Sequence, residues 1–225
     1  MSFLRAFLPI AESPVEHHIQ RIYSLTMIIC LAVFFIVEIA LVVAIVRFRR
    51  RPGARPATFT HNNLLEVAWT IVPALLLVVI AVPTYKTLKF IDTMPRHPFL
   101  TVEVIGHQWY WEYRIPPQPA THGKAVSLLD VTNSKALVVP VDRTVELVVT
   151  GADVIHDFFV PALGLKIDAN PGRINHAWFL ADKAGMYDGQ CSRLCGIFHS
   201  KMYIHVEATS VAAFDRWVAA HAAAG

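Results

Sequence analysis

The chain has 225 residues, 55% of them hydrophobic and only 16% charged, with a mean hydropathy of +0.45 and a formal net charge of +3. Such a length holds one or two domains, and the apolar excess is out of line with a wholly soluble protein. Residues 1–90 carry nine basic and four acidic side chains, and residues 91–225 eleven and thirteen. The basic balance therefore belongs to the N-terminal part, and no Lys/Arg stripe interleaved with aromatics supports a nucleic-acid partner.

In chain order, residues 1–21 read as an N-terminal outer segment, with Phe3–Ile10 resembling a targeting stub too short to have a clear cleavage site. Two apolar runs follow. Ile22–Val46 is interrupted only by Glu38 and closed by Arg47; Val67–Tyr85 contains no charge at all. About 20 apolar residues cross the hydrocarbon core as a helix, and neither run has the polar face of a soluble core helix. Residues 22–90 are thus expected to be a transmembrane helical hairpin, in which Pro73 and Pro83 are tolerable. The connector 47–62 carries Arg47, Arg49, Arg50, Arg51 and Arg55, which keeps it on the cytoplasmic (or matrix) side and puts both termini outside. Cys30 reads as a small buried apolar residue. Glu38 needs a polar contact with a neighbouring helix, and Glu66 lies where the second span begins, favoured there by the helix dipole.

From residue 91 the pattern changes to short alternating segments. Residues 101–105 and 144–150 have the period of half-buried strands, and 109–114, 135–141, 156–160, 174–180 and 203–207 are further candidates. Turn chemistry at Pro116–Pro119, Gly151–Asp153, Asn170–Gly172 and Lys183–Gly185 separates them. Residues 91–209 therefore suggest an all-β sandwich or barrel of antiparallel strands. Residues 210–225 suggest a short amphipathic helix capped by Ser210, with Phe214, Trp217 and Val218 on one side.

The chemically informative stretch runs from Gly189 to Met202 and has the form C-x3-C-x3-H-x2-M: Cys191, Cys195, His199 and Met202. Thiolate plus imidazole suits copper or zinc. The thioether favours copper, because structural zinc closes its tetrahedron with Cys and His alone. Two cysteines are one more than a mononuclear blue-copper site uses, and two thiolates can bridge a pair of coppers. A second imidazole then comes from another strand, and His156 opens the segment 156–161. The bland readings are a Cys191–Cys195 disulfide, common in an outer compartment, and an ordinary strand histidine at 156.

These residues, together with Gly106-His-Gln-Trp-Tyr-Trp-Glu-Tyr113, resemble subunit II of the haem–copper cytochrome c oxidases over nearly the whole chain. The resemblance implies a Greek-key cupredoxin domain carrying a dinuclear copper centre (CuA). It implies bridging thiolates from Cys191 and Cys195, with His156 and axial Met202 on one copper. His199 and the backbone carbonyl of Arg193 would serve the other. It further implies electrons arriving from cytochrome c at Trp109 and leaving for haem in subunit I, which reduces oxygen and pumps protons, with subunit III as a further partner. Glu66 would mark the mouth of a proton channel, and the membrane would be the bacterial inner membrane with a periplasmic copper domain, or the mitochondrial inner membrane. Because cytochrome c is basic around its haem, an acidic docking face is expected, with Glu112, Asp130, Asp153 and Asp157 as candidates. Residues 163–175, with Lys166, Asp168 and Arg173, match a segment expected to pack on subunit I. One departure stands out: the family usually has Glu at position 193, where its side chain helps bind magnesium at the subunit I boundary. Arg193 puts that ion in doubt, since a guanidinium stays charged and repels a cation. Competing functions are a membrane-tethered copper-delivery protein, which needs only one span, and a quinol oxidase subunit, which lacks the copper ligands. A nitric oxide reductase subunit with the same copper domain is a third.

Overall fold

The computed structural model describes residues 10–53 and 58–222; most of the 3–10 stub and Arg55 lie outside the described residues. The chain forms two compact units, one of Arg21–Leu88 and one of Met1–Gln20 with Lys89–Gly225.

Helix α1 spans Pro14–Arg47 and helix α2 Asn63–Asp92. At 1.5 Å per residue these 34- and 30-residue helices are about 50 and 45 Å long, more than the roughly 30 Å hydrocarbon core requires. The central window of each is wholly unburied within the chain, so the apolar side chains of both face outward, as membrane helices require. Asn62 starts α2 by accepting from the backbone N–H of Leu64 and Leu65 through Oδ1. Pro73 and Pro83 lie within it. Glu38 stands exposed on α1, and so does Cys30, contrary to the burial expected of it, because its part of the helix packs against nothing in this chain.

The second unit is a β-sandwich of ten strands among the described residues: β1 (100–107), β2 (110–115), β3 (126–130), β4 (136–140), β5 (144–151), β6 (156–160), β7 (165–169), β8 (175–180), β9 (185–191) and β10 (203–209). One sheet has the order β3-β2-β1-β5-β8 and the other β4-β10-β9-β6-β7. Pairing is mostly antiparallel, but β1 with β5 and β4 with β10 run parallel. In each of these pairs the partners are joined through intervening strands, and parallel neighbours cannot be linked by a tight hairpin. Strands β3, β7 and β9 were not anticipated. Adjacent leucines break the alternation in β3 and two glycines obscure it in β9, whereas β7 alternates strictly but over only five residues.

Alternate residues of β1 (Leu100, Val102, Val104) and β5 (Val145, Leu147, Val149) face Ile204, Val206 and Ala208 of β10 in one core. Phe158 of β6 joins the two sheets, with Trp111 edge-on at 5.1 Å and Tyr113 at 6.3 Å. Ser210 caps helix α3 (Val211–His221), accepting from Ala213 N, and the helix buries Phe214 and Val218 while Trp217 packs beside them.

The N-terminal segment belongs to this β unit. Glu12 N donates to Ala162 O at 3.1 Å, Asp182 N to Glu12 O at 2.9 Å, and Ser13 Oγ to Leu163 O at 2.7 Å. Gly164, with a left-handed φ of 68°, leaves room for this segment, since a Cβ there would lie 2.8 Å from Glu16 N.

Candidate metal centre

The site is built at one end of the second sheet, where β9 ends at Cys191, β6 begins at His156, and the loop 192–202 returns to β10. Cys191 is held by its N–H donating to Met202 O at 2.9 Å, which closes the base of the loop. His156 is fully buried against β1, and Gly106 allows it: a Cβ at that position would lie 2.9 Å from the imidazole ring.

Both thiols are free, with sulfurs 3.8 Å apart, so the disulfide alternative does not describe this structure. One ring nitrogen of His156 and the sulfurs of Cys191 and Cys195 all lie within 4.8 Å of one another. His199 Nδ1 stands 3.5 Å and Met202 Sδ 4.0 Å from Cys195 Sγ, while Arg193 O lies 3.2 Å from Cys191 Sγ. All the sequence-predicted ligand groups are thus brought into one place. Met202 is wholly buried, and His199 is part-exposed on a short 3-10 turn.

Asp153, a candidate docking acid by sequence, orients the imidazole. Its Oδ1 bonds His156 Nε2 at 2.8 Å, and its Oδ2 accepts from Gln108 N at 2.6 Å. The other nitrogen, Nδ1, is buried without a hydrogen-bond partner. A nitrogen freed of other duties, on a ring oriented by a carboxylate, is the arrangement in which histidine binds metal. The sequence signal for Asp153 was its position three residues before His156.

Burial pushes the Cys191 thiol up, but His156 and backbone N–H groups outweigh this and bring it down to about 7. Cys195 goes the other way, pushed up to about 12 by burial and by the charge of Cys191 beside it. Two thiolates this close repel each other, and a soft cation bound to both removes the repulsion. The donor set of two thiolates, two imidazoles and a thioether fits copper in kind and in placement.

Trp109 lies directly on the loop. Its Nε1 donates to Cys195 O at 3.1 Å, Gln108 Nε2 donates to the same oxygen at 2.7 Å, and the indole meets Phe198 edge-on at 4.9 Å. Glu66 is elsewhere, exposed in the first turn of α2 and part of the other compact unit.

Of the four acids expected to form a docking face, only Asp153 is exposed. Asp130 and Asp157 are buried and Glu112 nearly so. Asp130 caps a turn by accepting from Ser134 N and Lys135 N, and Glu112 is tied to Arg114 and His107. Asp153 is occupied with His156. Around the loop the exposed side chains include the apolar Leu194 and Ile197, each at 85%, beside the basic Arg193 and Lys201. Alternation placed these acids on strands without showing which face they took.

Comparison with known proteins agrees with this geometry. Residues 2–87 match the family described as cytochrome c oxidase subunit II, transmembrane domain, and residues 100–209 its periplasmic domain. A probable cytochrome c oxidase subunit 2 of Rickettsia bellii is 40% identical over 219 residues, covering 92% of this chain and 80% of that protein. Cytochrome c oxidase subunit 2 of Cereibacter sphaeroides is 38% identical over 235 residues, covering 92% and 77%. The crystal structure of the periplasmic domain of subunit II of cytochrome oxidase from Bradyrhizobium japonicum superposes with a TM-score of 0.50 at 40% identity, covering 57% of this chain and 96% of that one. With two membrane-spanning helices, a β-sandwich and a buried His-Cys-Cys cluster in the expected order, the chain belongs to the cytochrome c oxidase subunit II family.

Proposed function

We propose that this chain holds a dinuclear copper centre, through which it performs the role of its family, the admission of electrons to a respiratory oxidase complex. The observation that carries the reading is the convergence of donors from β6, β9 and one loop, with His156 Nδ1 left free while Asp153 engages Nε2. Cys191, Cys195, His156, His199, Met202 and the Arg193 carbonyl would hold the pair. When bound, the pair supplies one-electron transfer with the charge shared between two metals. The protein contributes rigidity: Asp153 fixes the ring, the buried Met202 and His156 exclude water, and the Cys191–Met202 backbone bond keeps the loop closed.

In this reading cytochrome c supplies electrons at Trp109, the indole of which donates a hydrogen bond to the backbone of Cys195, and they leave for haem in subunit I. Subunit III completes the complex, and Glu66 lies at the mouth of a proton path. The copper domain faces the periplasm of a bacterial inner membrane. Two facts support that orientation: the arginines of the connector, and the packing of Glu12–Glu16 on the β unit, which requires the N-terminus and that unit to share one side.

The test is EPR and visible spectroscopy of the full chain in detergent after copper loading. A seven-line hyperfine pattern with a purple colour is expected, and a four-line mononuclear signal would sink the two-copper reading. Met202→Leu should shift the reduction potential and keep the pair. Trp109→Phe should slow reduction by the donor and leave the spectrum unchanged.

A further inference from the structure

Arg193 stands between the two cysteines, and its backbone and side chain point to different neighbours. The carbonyl lies 3.2 Å from Cys191 Sγ. The guanidinium reaches strand β7, where Nε donates to Asp168 Oδ1 at 2.8 Å and Nη2 to Asp168 Oδ2 at 3.0 Å. This is the two-pronged fit of arginine on a carboxylate, stronger and more directional than a single bond. The guanidinium in turn holds the Asp168 carboxyl below the usual carboxylate range.

The surroundings show why such a clamp matters. Asp168 pairs in register with Asp157, the residue after His156. Asp157 is buried, and its backbone oxygen accepts from Ser192 N at 3.3 Å. The clamp therefore ties the middle of the copper loop to the strand beside the histidine. Burial holds Cys195 and Met202 but not Arg193 itself, which is exposed as are Leu194 and Ile197. Asp157, Asp168, Lys166, Arg173 and Arg193 line an open cavity of about 420 Å³. A divalent cation would meet three positively charged side chains there, and of the two acids Asp168 is engaged by Arg193 while Asp157 is buried. The residues do not fit the magnesium site of the family.

We infer that the Arg193 guanidinium, held by Asp168, takes the place of a bound divalent cation, and that Arg193 is a positioning residue fixing its own carbonyl at the copper site. The ion pair is internal to this chain, so the boundary needs no metal and no acid from a neighbouring subunit. This rests on the two-copper reading for what the carbonyl does.

The experiment uses the purified oxidase containing this chain, from cells grown with excess manganese. No near-stoichiometric Mn²⁺ coupled to the copper spin is expected; finding it overturns the substitution. In the same complex Arg193→Gln and Asp168→Asn should each alter the copper hyperfine spacing and reduction potential, and weaken copper retention against a chelator by roughly ten-fold, the usual size of an outer-shell effect. The double variant should go no further than either single. The swapped pair R193D/D168R should recover the native spectrum, which a general loss of folding would not allow. Single variants with native spectrum, potential and retention overturn the clamp alone. A wild-type complex without the shared-electron signal overturns the copper reading and the clamp with it.

Discussion

The two compact units use the same residue types to opposite ends. In the helical unit Leu77 and Val78 are more than half exposed, as are most of their neighbours, whereas in the β unit Val102, Leu147 and Phe158 have no exposure at all. Apolar burial from water stabilises the second by about 25 cal/mol per Å². The first gains nothing comparable from its own chain and depends on lipid to cover it. The proposed redox site needs fixed ligands, and its candidate ligands lie in the unit that buries its own apolar side chains.

The largest effect that tests this division is Cys195→Ser, expected to abolish the two-copper spectrum completely while circular dichroism still shows the β unit folded. Loss of the fold would mean that the thiol supports the core as well as the metal. Next, Phe158→Ala should cost about 3–5 kcal/mol in denaturant unfolding of the β unit, since it removes the ring joining the sheets. Leu77→Ala should leave that transition unmoved; a matching loss would show that the units are not energetically separate. For the helical unit the sensitive change is polarity. Val78→Asp should cost roughly 2.5–3.5 kcal/mol of membrane insertion, read in a translocation assay, with little change in the soluble transition.

The smallest effect concerns pH. Burial acts to raise the Glu112 carboxyl, but hydrogen bonds with Arg114 and His107 outweigh it and hold the folded value below the ordinary 4.5. A lowered folded value gives stability that is fully present above pH 4.5 and lost as pH falls through the folded value. Glu112→Gln should remove about 1 kcal/mol at neutral pH and flatten that acid limb. An unchanged limb would assign the acid sensitivity to other carboxylates.

Much of the fold was legible because it rests on period and length. The two apolar runs predicted both helices, though each extends past its run, since capping at Asn62 and packing of Val15 lie outside the hydropathy signal. Strands β1 and β5 were visible from alternation, β2, β4, β6, β8 and β10 as short segments between turns, and α3 from Ser210. Strands β3, β7 and β9 were not: adjacent leucines break the alternation in β3, glycines obscure it in β9, and β7 is only five residues long. At the site, the loop ligands announced themselves by spacing. Asp153 and Gly106 did not, since one acts by orienting a ring and the other by being small.

What the sequence alone determined, then, is what short-range chemistry determines: soft donors at fixed intervals, spans long enough for a bilayer, and basic residues between them. Only the tertiary structure decided which face each charged side chain takes. It put Asp130 and Asp157 inside, away from the docking surface expected of them, and it paired Arg193 with Asp168 across 25 residues. Both outcomes depend on strand pairing and burial, which are set by contacts between distant segments and leave no local trace in the order of residues.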